Sequence, residues 1–124
     1  RPSDFLMAVN EMHRFARAIA PFFSRYDVWL TPTVPEPPVP LGYFDFERKA
    51  PHQATERMER FPRFTAIANV TGQPAISLPL CWNDAGLPIG MQLMGRYADE
   101  ATLFRLAAQL ESAQPWAARR PQLD

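Results

Sequence analysis

The stretch NVTGQPAISLPL, residues 69–80, decides the fold, because it joins a helix stop to an almost wholly apolar run. Glycine adopts the left-handed backbone of a helix C-cap without strain, so Gly72 is expected to end a helix. The run from Pro74 to Leu80 then contains one hydroxyl side chain, Ser77. This stretch therefore predicts a helix end followed at once by a buried strand.

A second apolar run, Pro88 to Met94, follows the turn-forming sequence CWNDAG at residues 81–86. Turn chemistry between two apolar runs predicts an antiparallel hairpin. Only Ser77 and Gln92 interrupt these strands, whereas a strand with one wet face alternates apolar and polar residues. The pattern is typical of a sheet that helices cover on both faces.

The remaining patterns supply one more strand and four helices. They are a helix from Ser3, its N-cap, to about Ala20, a strand at Val28–Leu30, a short helix at Gln53–Arg60, a helix from Pro62 to the Gly72 cap, and a helix capped by Asp99. The two long predicted helices and the two short ones are expected to cover one face of a three-stranded sheet and only part of the other. We therefore expect an exposed apolar surface, and such a surface normally has a partner.

The composition fits one domain over residues 1–124, with a proline-rich loop at 32–40 and a frayed tail at 117–124. Lysine plus arginine and aspartate plus glutamate both number 13, so no nucleic-acid or membrane partner is expected. No apolar run approaches the roughly 20 residues that span a bilayer. The single cysteine, Cys81, suits a cytoplasmic location.

Ser77 is the obvious candidate nucleophile, yet its surroundings argue against that role. An activated serine needs a base within hydrogen-bond reach and usually a sharp turn flanked by glycine. Here Ile76 and Leu78 flank it inside a strand. We therefore expect a structural serine whose hydroxyl bonds to nearby backbone.

The other reactive side chains form no recognisable site. His13 and His52 lie far apart, with no ligand spacing toward Cys81, so no metal site is expected. His13 is expected on a helix surface, His52 in solvent, and Cys81 as a small buried apolar residue. The five glycines are too scattered to form a phosphate cradle, and no cofactor is expected.

Several motifs, in order, resemble the C-terminal segment of the amidase signature family. They are YDVWLTPTVPEPPVP at 26–40, ANVTGQPAISLP at 68–79, GLPIGMQLMGR at 86–96, DEATLFRLAAQLE at 99–111 and PW at 115–116. The resemblance implies an α/β fold, in which this chain supplies part of a mixed sheet of about three strands with helices. It also implies hydrolysis of carbon–nitrogen bonds, mostly amides, by a lysine, a serine in a cis peptide and a nucleophilic serine.

The family's three catalytic residues lie in its N-terminal half, and this chain has no counterpart of them. Its single lysine, Lys49, lacks the family's lysine motif, and no stretch is rich in glycine and serine. Ser77 matches a strand serine, not the nucleophile. The resemblance thus implies no catalytic residue in this chain, with the N-terminal portion of the same domain as partner and a small-molecule amide as substrate.

Although the catalytic residues are expected elsewhere, this chain is expected to contribute to substrate binding through the loop after its first strand. Thr31, Thr33, Val34 and Pro35 are expected to form one wall of the substrate pocket, since ligands of open α/β sheets sit beyond strand ends. An equally weighted alternative is that the prolines merely carry the chain across the protein surface and do not contact substrate. Trp29 and the apolar loop favour a hydrophobic substrate. Asn69 and Thr71 are expected to bond backbone at the helix end.

Two other interpretations stay open. The chain could be an autonomous, non-catalytic interaction module that keeps the family's sheet edge and helix for a partner. Alternatively, two copies could cover each other's exposed sheet as a homo-oligomer.

Overall fold

The computed structural model of the chain describes residues 1–43 and 51–120. Its elements, in chain order, are α1 (Pro2–Ile19), a 3₁₀ helix (Ala20–Ser24), β1 (Val28–Pro32), α2 (Pro51–Arg60), α3 (Thr65–Thr71), β2 (Ala75–Trp82), β3 (Pro88–Gly95) and α4 (Glu100–Ala113). Within these two ranges, no helix combines the length and the apolar character that crossing a membrane requires. The predicted α/β architecture is confirmed.

The three strands form one sheet in the order β1-β3-β2, and both pairings are antiparallel. The predicted hairpin joins β2 to β3, and its turn is closed by the Leu87 amide, which donates to Asn83 Oδ1 at 2.9 Å. Gly86 lies in the turn with a φ of 76°, a conformation that favours glycine. Because β3 is central, both flanking strands depend on it.

Helix α4 covers one face of the sheet. Leu103 packs with Leu78 and Leu93, and all three side chains are buried. Leu103 can approach this closely because β3 carries Gly95, where an added Cβ would lie 3.2 Å from Leu103 Cγ. This face therefore holds a small apolar cluster.

The opposite face is only partly covered. Phe23 of the 3₁₀ helix, Ala68 of α3 and Met94 of β3 form its buried cluster. Ala75 and Ser77 stand beside Met94 and Gln92 in the register of β2 with β3, so they share this face, yet both are exposed. The cover thus ends before it reaches β2.

Helix α1 leaves much of its apolar surface in solvent. Phe5, Leu6 and Met7 are each at least 66% exposed, while Val9, Ala16 and Ile19 are half-buried. This confirms the expected exposed apolar surface. The predicted cap was wrong by two residues, because α1 begins at Pro2 and Ser3 lies inside its first turn.

The start of α4 confirms the predicted cap. Asp99 accepts a hydrogen bond from the Thr102 amide at 3.3 Å and another from the Thr102 hydroxyl at 2.8 Å. The hydroxyl bond is the main reason why the pKa of Asp99 lies below its ordinary value, since it stabilises the ionised carboxylate. Asp99 thus satisfies an amide that the helix leaves unpaired.

This cap makes part of the stability depend on pH. Because the folded-state pKa of Asp99 lies below its unfolded-state value, the carboxylate stabilises α4 above the unfolded pKa, and the stabilisation is lost as the pH falls through the folded pKa. We expect Asp99→Ala to lower Tm at neutral pH, by a margin that narrows as the pH falls below the unfolded-state pKa of aspartate. Scanning calorimetry measures this. Asp84→Ala, in the exposed hairpin turn, is the control, and a margin independent of pH would contradict the prediction.

Candidate functional site

The predicted wall residues lie at the end of β1 and just beyond it. Thr31 belongs to β1, whereas Thr33, Val34 and Pro35 follow its last residue, Pro32. Thr31 and Thr33 are half-buried, and Val34 and Pro35 are exposed. The first two are therefore tied to the sheet, and the last two lead away from it.

Thr31 and Thr33 meet two further polar side chains on the partly covered face. Thr31 and Ser77 are the register partners of Gln92 from opposite sides. Thr33 Oγ1 lies 2.5 Å from Ser77 Oγ, a short hydrogen bond between hydroxyls. We call these four residues, Thr31, Thr33, Ser77 and Gln92, the polar band.

Gln92 anchors the polar band in the interior. Its side chain is 5% exposed, and Nε2 donates to Thr31 Oγ1 at 3.4 Å and to the Phe64 carbonyl at 3.3 Å. A buried amide without partners would be strongly destabilising, so these bonds explain why a polar residue is tolerated in β3. The sequence marked Gln92 only as an interruption of the strand; its neighbours come from distant segments.

Ser77 is not bonded as expected. Its partner is the Thr33 hydroxyl, not nearby backbone, and Ser77 is exposed in this chain. Threonine is a poor general base, and no histidine or carboxylate among the side chains that the structure describes is hydrogen-bonded to Ser77. The structural reading of this serine therefore stands, although the predicted partner was wrong.

Three other predictions concern single side chains. His13 is exposed on α1, as expected. Cys81 was expected to be buried, but it is a free, exposed cysteine, because it lies near the end of outer strand β2, beyond an irregularity at Pro79. His52 belongs to α2, whose predicted start was Gln53. Among the described residues, no three histidine, cysteine, aspartate or glutamate side chains are grouped to hold a metal ion.

The end of α3 agrees in part with expectation. Gly72 caps the helix with a φ of 72°, and Thr71 Oγ1 donates to the Ile67 carbonyl at 2.8 Å. Asn69 is exposed, and its side chain forms no hydrogen bond with another described residue, contrary to expectation. Trp29, expected to favour a hydrophobic substrate, packs its ring 5.0 Å from that of Phe22.

Further along, the proline-rich loop is attached to α2. Glu36 Oε1 lies 2.8 Å from Arg60 Nε, and this oxygen is shielded from solvent without hydrogen-bond geometry, so the attraction is Coulombic. The loop beyond Pro35 is thus held at a second point.

A separate groove of about 540 Å³ lies at the hairpin end of the sheet. Its lining includes Trp82, Trp116 and Arg119, and the Arg119 guanidinium stacks 4.0 Å from the centre of the Trp82 ring. Arg119 and Arg120 of the predicted tail line this groove, while residues 121–124 lie outside the described residues.

Gln92 offers a direct test of the polar band. Gln92→Leu keeps the side-chain volume but removes the donor to the Phe64 carbonyl, and we expect the free energy of unfolding to fall by about 1–3 kcal/mol. Urea denaturation measures the change. Gln109→Leu, on the exposed side of α4, is the matched control and should stay within about 0.5 kcal/mol of wild type. Equal effects of the two substitutions would contradict the role of Gln92.

Comparison with known proteins gives consistent matches. The sequence model of the family described as Amidase matches residues 2–104. A putative amidase AmiC from Mycobacterium leprae (strain TN) is 42% identical over 113 residues, which cover 89% of this chain and 23% of that protein. The 6-aminohexanoate-cyclic-dimer hydrolase of Pseudomonas sp. (strain NK87) is 36% identical over 126 residues, which cover 96% of this chain and 25% of that protein.

A solved structure of 6-aminohexanoate cyclic dimer hydrolase superposes on 98% of this chain with a TM-score of 0.91 and 33% identity. This chain covers 26% of that structure, and it spans about a quarter of the length of the curated relatives as well. The matched portion is the C-terminal part of these relatives. The chain therefore belongs to the amidase family, and it corresponds to the C-terminal segment of the relatives that it matches.

Proposed function

We propose that this segment completes an amide hydrolase whose catalytic residues lie in an N-terminal part of the same domain. The observation that carries the proposal is the family match over residues 2–104, with the chain spanning about a quarter of its relatives. These relatives are named as putative amidases and, in one case, as a 6-aminohexanoate-cyclic-dimer hydrolase. The proposed reaction is hydrolysis of a carbon–nitrogen bond in a small amide.

The chemistry follows the family resemblance. A neutral lysine accepts a proton through the cis serine, so that the second serine attacks the amide carbonyl, and backbone N–H groups stabilise the oxyanion. The amine leaves with a proton, and water then hydrolyses the acyl-enzyme. This segment contributes sheet strands, the covering helix α4 and part of the pocket.

The pocket wall is assigned to Thr31, Thr33, Val34 and Pro35. Support comes from the polar band, which holds the two threonines on the incompletely covered face, and from the exposure of Val34 and Pro35. Exposed apolar groups beside hydroxyls suit an amide with an apolar body and a polar bond. The alternative, a loop that only crosses the surface, predicts no effect of these residues on KM.

The partner that we propose is the N-terminal portion of the same domain. Apolar side chains on α1, including Phe5 and Met7, together with exposed Leu30 on β1, supply the surface that it would cover.

We infer a cytoplasmic location from the free, exposed thiol of Cys81, since such thiols persist in reducing compartments. Nucleic acid and membrane are not proposed as partners.

Reconstitution tests the function. We expect the chain alone to hydrolyse no chromogenic anilide, because it carries no lysine–serine–serine set, and we expect turnover after co-expression with the N-terminal portion of the domain. Release of the chromophore measures the rate. Amide hydrolysis by the isolated chain at an enzyme-like rate would contradict the placement of the catalytic residues.

The same preparation separates the alternative interpretations. A segment that lacks its partner should bind hydrophobic dye and self-associate on size exclusion. A monodisperse chain that melts cooperatively would instead favour an autonomous interaction module. A discrete dimer that binds no dye would favour mutual covering of two copies.

The wall is tested by a charge at Val34. In the reconstituted enzyme, Val34→Asp should raise KM for an apolar anilide about tenfold, or about 1.4 kcal/mol of lost binding, because a carboxylate disfavours an apolar neighbour. Leu41→Asp makes a comparable change further along the loop, where the side chain is fully exposed. Steady-state kinetics compares them, and equal KM values for the two variants would remove Val34 from the wall.

A further inference from the structure

The hydrogen bond between Thr33 and Ser77 crosses the central strand. These residues are 44 positions apart in sequence and belong to the two outer strands or their extensions, on either side of β3. Outer strands of a three-stranded sheet lie roughly 9–10 Å apart, so short side chains on them do not normally meet. Yet the Oγ atoms are separated by only 2.5 Å.

Gly90 makes this contact possible. The Thr33 amide donates to the Gly90 carbonyl at 2.8 Å, which sets Thr33 beside this residue of β3. A Cβ added at Gly90 would lie 2.8 Å from Thr33 Oγ1 and 2.9 Å from Ser77 Oγ, closer than real Cβ atoms approach. Glycine is therefore required here for space: any side chain would separate the two hydroxyls.

Thr33 lies at the start of the proline-rich loop and is hydrogen-bonded to the sheet. Its amide is bound to Gly90 and its hydroxyl to Ser77. Val34 and Pro35 follow directly, and proline has no N–H to add a backbone bond. The orientation of Thr33 consequently sets the direction in which Val34 and Pro35 leave the sheet.

We infer that Ser77 and Gly90 are positioning residues for the substrate wall, acting through Thr33 without touching substrate. The inference rests on the proposed function, and it gives the strand serine a role other than that of a nucleophile. Ser77 holds the Thr33 hydroxyl, and Gly90 leaves room for the hydrogen bond. Together they hold the first residues of the loop in the geometry that faces the amide.

The test uses the complete enzyme that contains this segment, with Ser77→Ala, Ser77→Thr and Gly90→Ala. Loss of one neutral hydrogen bond should raise KM about 2- to 10-fold with little change in kcat. Ser77→Thr keeps a hydroxyl and should restore KM. Gly90→Ala should match Ser77→Ala, and the double variant should be no worse than Gly90→Ala alone. Ser112→Ala, which removes a hydroxyl bonded to the Ala108 carbonyl on exposed α4, is the control and should leave KM unchanged.

A second measurement follows the loop directly. Hydrogen exchange, read by mass spectrometry on the peptide that contains Thr33, should be about 2- to 10-fold faster in Ser77→Ala and unchanged in Ser112→Ala. If the parent enzyme is active and its Ser77→Ala variant has unchanged KM and an unchanged exchange rate, the positioning role is overturned, while the proposed function is not affected. A Ser77→Thr variant as impaired as Ser77→Ala would overturn the positioning role as well. A parent enzyme that hydrolyses no amide would overturn the proposed function, and the wall with it.

Discussion

The burial of β3 is the constraint on which the rest of the structure depends. Gln92, Leu93, Met94 and Gly95 are consecutive residues, and all four are buried. Since neighbouring side chains of a strand point to opposite faces, this pattern requires cover on both sides of the sheet. Helix α4 provides one cover, and the 3₁₀ helix with α3 provides part of the other.

That constraint also determines where the polar band can lie. On the α4 face the buried residues are leucines, and the cover ends at β1, where Leu30 is exposed. On the opposite face it ends near Gln92, whose amide bonds to the Phe64 carbonyl at the start of α3 and to Thr31. Beyond that point the face carries hydroxyls and a glycine, so the site arises where apolar packing stops.

Local chemistry was enough to predict most of the fold. The stretch from Gly72 to Leu80 predicted a helix end and a strand, Asp99 predicted a cap, and the turn before Pro88 predicted a hairpin, because each signal acts within a few residues. The contacts of Ser77 and Gln92 could not be predicted in this way, since Thr33 and Thr31 lie 44 and 61 positions away. Cys81 was misjudged for the same reason: burial depends on what covers a strand, and sequence alone did not show that β2 lies at the edge.

The pairing of β1 with β3 has a consequence for the order of folding. The β2–β3 hairpin closes a turn of a few residues, whereas β1 must bring its Thr31 to Gln92 across 61 positions. Closing a long loop loses more chain entropy than closing a short one, so we expect the hairpin to form before β1 pairs with β3. During synthesis from the N-terminus, β1 leaves the ribosome well before its only described strand partner exists. The edge of β1 that pairs with β3 therefore lacks its hydrogen-bond partners until β3 has been made.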